Sequence, residues 1–176
     1  SICTIASCTT ETVYGFDSFE GLPEKWDNYN PKGVFSLGGN IPKAALRHGA
    51  HDPGMFSTDQ AADTVEWPDN VRLIKGWFDD SLPKFLESNR KQVAFLHVDS
   101  DIYSSCKTVL SLLESEIKPG TVILFDELLN YDDFKEHEIK AFAEFLIKTG
   151  YTYTPIAHKD SDYAMASFAI GEKEAK

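Results

Sequence analysis

Cysteine is scarce in this chain of 176 residues. Cys3, Cys8 and Cys106 form an odd set with no Cys-x-x-Cys spacing. That argues against a disulfide scaffold and for free thiols in a reducing compartment. Positive charge is also in deficit: 17 Lys and Arg stand against 28 Asp and Glu, a net charge of -11. With no basic cluster to track a phosphate backbone, nucleic acid is not an expected partner. Long apolar runs are missing too, and no signal-peptide pattern opens the chain, so the expectation is a soluble, cytoplasmic protein with no membrane partner. What is present is a globular composition, 42% hydrophobic and 12% aromatic. The length suits one domain with a core of its own.

Residues 1–7 carry apolar side chains at helical spacing. Residues 13–16 read as a short strand ending at Asp17. Residues 24–69 read as one long irregular loop or lid, rich in Pro and Gly, of a length that is usually functional. Asn70 to Ile74 is a second strand, closed by Lys75-Gly76-Trp77-Phe78. The helix after it is expected from about Asp80-Ser81, with Pro83 in its first turn and Leu82, Phe85 and Leu86 inward. Residues 93–98 form the next strand. Cys106, Val109, Leu110, Leu113 and Ile117 then mark the buried stripe of a helix. After the strand at 121–125, a helix over 134–149 should face Ile139, Phe142, Phe145 and Leu146 inward. Glu136–Lys140 and Glu144–Lys148 are expected as outer ion pairs, and Gly150 as the cap. Two last strands, 151–157 and 163–170, read as a hairpin, with a frayed tail at 172–176. Strand and helix alternate and the strands are continuously apolar, which predicts an α/β fold with a mostly parallel, covered sheet and a C-terminal antiparallel hairpin.

Each early strand stops at a chemically suggestive group, and ligands of open parallel sheets bind at those carboxyl ends. Asp17 stands where an acid accepts hydrogen bonds from two ribose hydroxyls, although Asp17 or Ser18 would serve equally as a turn cap. Trp77 could stack on a base, whereas Phe78 reads as core. Asp99, Asp126 and Glu127 suit a hard cation with oxygen ligands, such as Mg²⁺. Asp101 lies beyond the strand, placed either to take a proton from a substrate hydroxyl or to cap the next helix. His97 alternates with Asp99 but has no ligand spacing with another histidine, so it reads as structural or exposed, as does His137.

Four segments, VYGFDSFEGLP (13–23), NVRLIKGWFDDSLP (70–83), FLHVDSDIYS (95–104) and PGTVILFDE (119–127), together resemble successive motifs of the macrocin O-methyltransferase family. These are class I, S-adenosylmethionine-dependent enzymes. The resemblance implies a three-layer Rossmann-like domain spanning the chain. It implies Asp17 and Ser18 at the cofactor ribose, Gly76 and Trp77 near the adenine, Mg²⁺ on Asp99, Asp126 and Glu127, and Asp101 as general base. In the family two aspartates more often stand where Asp126-Glu127 stands here. The family's first strand and glycine-rich loop precede its first helix, whereas this sequence starts where that loop should be ending. Ser1 would be the loop's surviving end, beside the cofactor's methionine portion, and the sheet's central strand is expected to be missing from the sequence as given. The implied reaction is methylation of a hydroxyl on a sugar or small polyhydroxylated acceptor, with specificity in the 24–68 loop and in residues 131–137. Relatives of this kind are often homo-oligomers. Two alternatives stand beside it: an Asp-x-Asp glycosyltransferase using a nucleotide-sugar, and a degenerate binding domain without activity.

Overall fold

Short apolar strands separated by turn residues and amphipathic helices organise the computed structural model of the chain, which describes residues 1–43, 45–46 and 64–174. Two compact units result, Ser1–Ser81 and Leu82–Lys176. Among the described residues no helix is long and apolar enough to cross a membrane.

In the first unit, helix α1 (Ile2–Ser7) leads to strand β1 (Val13–Asp17). The Asn70 side chain fastens this connection by donating to the carbonyls of Ala6, Thr9 and Glu11. Beyond the short antiparallel pair β2 (Ala45–Leu46) and β3 (Thr64–Val65) comes β4 (Val71–Lys75). It lies parallel to β1, with Val13 opposite Val71 and Asp17 opposite Lys75. Their carboxyl ends are therefore level. The loop after β1 is more ordered than its composition predicts. Leu22 N–H donates to Val34 O, Gly33 N–H to Leu22 O, and the N–H groups of Leu37 and Gly39 both to Phe19 O. Phe19, Leu22 and Trp26 are buried by this winding. Residue 44 and residues 47–63 of the expected lid lie outside the described residues.

Helix α2 (Phe78–Leu86) starts earlier than expected, so Pro83 sits inside it rather than in its first turn. The carbonyl that Pro83 cannot satisfy belongs to Asp79, an exposed residue with water at hand. Leu82 and Leu86 are buried, as the periodicity requires.

The second unit holds β5 (Phe95–Val98), α3 (Tyr103–Leu112), β6 (Val122–Leu129), α4 (Glu138–Thr149), β7 (Tyr151–His158) and β8 (Ala164–Lys173). Its sheet runs β5-β6-β8-β7, parallel between β5 and β6 and antiparallel thereafter. The predicted stripe Cys106, Val109, Leu110, Leu113 and Ile117 is buried throughout, although the helix itself ends at Leu112. Phe125, Phe142 and Phe168 pack ring to ring with centroids 5.0–6.3 Å apart.

Four expectations shift here. Residues 134–136 form a separate 3₁₀ turn, and α4 begins only at Glu138. Its buried face is Glu138, Ala141, Phe142, Phe145 and Thr149, with Ile139 and Leu146 only half-buried. Glu136–Lys140 forms at 2.7 Å, but Glu144 pairs with Lys107 and Lys148 with Glu114, because longer-range partners come within reach once α3 packs on α4. Finally, β8 continues to Lys173, opposite Tyr151, so residues 172–173 of the expected frayed tail are ladder, while residues 175–176 lie outside the described residues. Gly150 caps α4 in the left-handed region (φ 72°) as expected.

Candidate active site

In the first unit the site residues gather at the level tips of β1 and β4. Asp17 Oδ1 accepts the Phe19 N–H at 2.7 Å, and Ser18 Oγ accepts the Glu20 N–H at 3.0 Å. Both residues thus form the turns anticipated as their plain alternative, while Asp17 also keeps an exposed carboxylate at a strand end. Gly76 N–H donates to Asp17 O, which ties the two tips together. Gly76 is required there: its φ is 143°, and a Cβ would lie 3.2 Å from that of Ser81. Trp77 is 37% exposed and offers a ring face, whereas Phe78 is half-buried. Ser1 precedes α1 and makes no side-chain cap.

The acids of the second unit converge. Strand β6 runs past the expected end at Phe125, so Asp126 and Glu127 lie within it. Phe125 pairs with Ala166 and Leu129 with Ala164, so three residues of β6 stand against Met165 alone. This bulge interrupts the alternation of the strand: Ile123, Phe125 and Leu128 are buried, but Asp126 and Glu127 in sequence are both half-buried. A bulge re-aims side chains in this way, and here it keeps two consecutive carboxylates out of the core. Ligand atoms of Asp99, Asp101 and Glu127 lie within 4.8 Å of one another, as do those of His97, Asp99 and Asp126. Asp99 belongs to both groups.

Burial raises the Glu127 carboxyl to about 10, reinforced by the charges of Asp101, Asp99, Asp126 and Glu138. Its buried Oε2 has no hydrogen-bond partner. Carboxylates packed closely enough to repel one another, with an unsatisfied oxygen among them, form a donor set that fits a divalent cation. Asp101 is buried, with a left-handed backbone (φ 61°). The residue directly before α3 is Ile102, one position after Asp101.

Sequence reasoning missed Glu138. It is fully buried, its Oε1 accepts both Ser100 N–H (3.2 Å) and Ser100 Oγ–H (3.0 Å), and its buried Oε2 has no partner. Burial pushes its carboxyl up to about 8 against the two Ser100 hydrogen bonds, with Asp101 and Asp99 adding to the rise. An acid at the start of a helix normally faces water, so no local signal marked it. His97, read as structural or exposed, stands against Asp126, and here the alternation with Asp99 was the available clue. Near the carboxyl end of β6, Tyr131 stacks on Tyr163 with rings 8° from parallel and 5.1 Å apart.

The family model described as Macrocin-O-methyltransferase (TylF) matches residues 56–160. A curated relative, the 8-demethyl-8-(2,3-dimethoxy-alpha-L-rhamnosyl)-tetracenomycin-C 4'-O-methyltransferase of Streptomyces olivaceus, is 26% identical over 129 residues. That alignment takes in 68% of this chain and 42% of the relative. Among solved structures, the calicheamicin methyltransferase CalS11 aligns with a TM-score of 0.58 at 20% identity, over 92% of this chain and 61% of its own. The O-methyltransferase NovP aligns with a TM-score of 0.56 at 19% identity, over 97% and 64%. The chain thus spans less than two thirds of each of these three proteins, and the two structures establish the Rossmann-like methyltransferase fold.

Proposed function

Since this chain belongs to the macrocin-O-methyltransferase family, we propose that it methylates a hydroxyl of a sugar or other small polyhydroxylated acceptor, using S-adenosylmethionine and Mg²⁺. The observation that carries this reading is the convergence of Asp99, Asp101 and Glu127, with Asp126 sharing Asp99, beyond the end of β5 and at the bulge of β6. Bound S-adenosylmethionine supplies an electrophilic methyl on a sulfonium. A cation held by Asp99, Asp126 and Glu127 supplies Lewis acidity that lowers the acceptor hydroxyl's pKa.

The chain's own residues supply position and proton transfer. Asp17 presents its carboxylate to the ribose hydroxyls, held in place through the Phe19 N–H at Oδ1. Ser18 lies beside it, Gly76 and Trp77 take the adenine edge and face, and Ser1 stands towards the methionine portion. Asp101 would accept the proton of the acceptor hydroxyl, whose oxygen would take the methyl as the carbon–sulfonium bond breaks and S-adenosylhomocysteine leaves. The Tyr131–Tyr163 stack offers an apolar face to the acceptor ring. Holding nucleophile and methyl in line contributes the larger part of such a catalyst's effect.

Calorimetric titration with S-adenosylhomocysteine should show binding, and titration with UDP-glucose none; the opposite pattern would overturn the proposal in favour of glycosyl transfer. Asp101→Asn should keep S-adenosylhomocysteine affinity and lower methyl transfer to hydroxylated sugars by at least about 10²-fold. Retained turnover would remove Asp101 from the role of base.

A further inference from the structure

His97 and Asp99 are two residues apart, so they leave the same face at the end of β5. The register sets His97 opposite Leu124 on the parallel strand β6, with Asp126 two residues further along. His97 Nε2 lies 3.4 Å from Asp126 Oδ1, and the imidazole is 11% exposed. That nitrogen is buried and makes no hydrogen bond, although a carboxylate oxygen stands in front of it. The nitrogen and one oxygen each of Asp99 and Asp126 fall within 4.8 Å of one another. Donors about 2.1 Å from one ion stand roughly 3.0 Å apart at an octahedral angle and roughly 3.4 Å at a tetrahedral one. The 3.4 Å between His97 Nε2 and Asp126 Oδ1 is therefore that of two neighbouring ligands, with an Asp99 oxygen within 4.8 Å of both.

We propose that His97 Nε2 is a direct ligand of the divalent cation, beside Asp99 and Asp126, and that the site consequently binds Mn²⁺ or Co²⁺ in preference to Mg²⁺. This rests on the reading of the acidic cluster as a cation site and adds a donor that an all-oxygen set lacks. Imidazole nitrogen favours transition ions, whereas Mg²⁺ keeps oxygen ligands and releases water reluctantly. The buried His97 nitrogen thereby acquires a function: it selects the metal. Glu127 is grouped instead with Asp99 and Asp101, the two groups sharing Asp99.

The test is metal binding to the complete, metal-stripped protein, which needs no acceptor. Titrations with MnCl₂, CoCl₂ and MgCl₂ should show Mn²⁺ and Co²⁺ held at least about tenfold more tightly than Mg²⁺. His97→Gln should erase most of that preference while changing Mg²⁺ affinity far less. Pulsed EPR of the Mn²⁺-loaded wild type should show nitrogen-14 coupling from a directly bound imidazole, a readout that stands even if the variant fails to fold. Binding of Mn²⁺ without nitrogen coupling would overturn the role of His97 and leave the acidic cation site intact. If the wild type bound none of the three ions, the cation reading itself would fall and this proposal with it.

Discussion

A carboxyl with no exposed surface must be protonated, paired with a cation or held by donors, and Glu138 has only Ser100 among the hydrogen-bond donors described. Its pKa consequence can be worked out in sign. The folded state binds the proton more tightly, at about 8 against an ordinary 4.5. The stability contributed by the protonated group is therefore complete below about pH 4.5 and drains away as pH rises through 8. Glu138→Gln keeps the acceptor for Ser100 and cannot ionise. We expect denaturant unfolding of this variant to vary less between pH 5 and 9, with a gain over wild type at pH 9 on the order of a few kcal/mol. Parallel pH profiles for the two proteins would show that Glu138 does not titrate in this range. Asp101 illustrates a different residue-scale lesson. Its type and place at a strand end were legible, but its burial and left-handed backbone are properties of the loop that Ser100 and Glu138 anchor.

The elements show how far periodicity carries and where it stops. The stripe Cys106 to Ile117 was readable because a single helix face meets the core. The bulge in β6 was not, because it arises from pairing with β8, forty residues later in the chain, and nothing local to Asp126-Glu127 encodes that partner. The start of α4 moved for a similar reason: Glu138 faces inward towards Ser100, so the apolar pattern alone put Ile139 in its place. Of the left-handed glycines in the loop after β1, Gly21 is the one closed in by backbone. Gly21 has φ 77°, and a Cβ there would stand 2.3 Å from Val34 O and 2.6 Å from Gly33 O. Backbone cannot yield as a flexible side chain does, so Gly21→Ala should cost about 1–3 kcal/mol. Hydrogen exchange at the Leu22 and Gly33 amides, which close this loop, should speed up in the variant. Unchanged stability and exchange would show that the loop can be rebuilt without that turn.

For the whole molecule, the net charge of -11 and the clustered acids make divalent cations a stabilising influence of two separable kinds. General screening acts on all the surface acids, falls off with the Debye length and is matched by NaCl at equal ionic strength. Specific binding adds a term that grows with occupancy, about 2.7 kcal/mol at a hundredfold excess over Kd. Divalent ion should therefore raise Tm beyond the NaCl control in the wild type, and Asp99→Asn should lose that excess because Asp99 belongs to both ligand groups. Binding should also release protons, since Glu127 is held protonated at neutral pH and must ionise to act as a ligand. Calorimetry in buffers of different ionisation enthalpy reads that release. An equal Tm rise in wild type and Asp99→Asn would reduce the effect to screening.

By itself, the sequence determined the α/β class, the inward stripes of the helices and the acids at strand ends, because each of these is encoded in a window of a few residues by spacing, turn chemistry and apolar runs. The motifs in their order also carried the family. Tertiary structure alone decided which acids meet: it set Asp126 against His97, joined Glu127 to Asp101 through the shared Asp99, and buried Glu138 against Ser100. Those relations depend on the register of β6 between β5 and β8 and on the packing of α3 against α4. Partners far apart in sequence supply them, and the charge shifts follow from the distances and burial they impose.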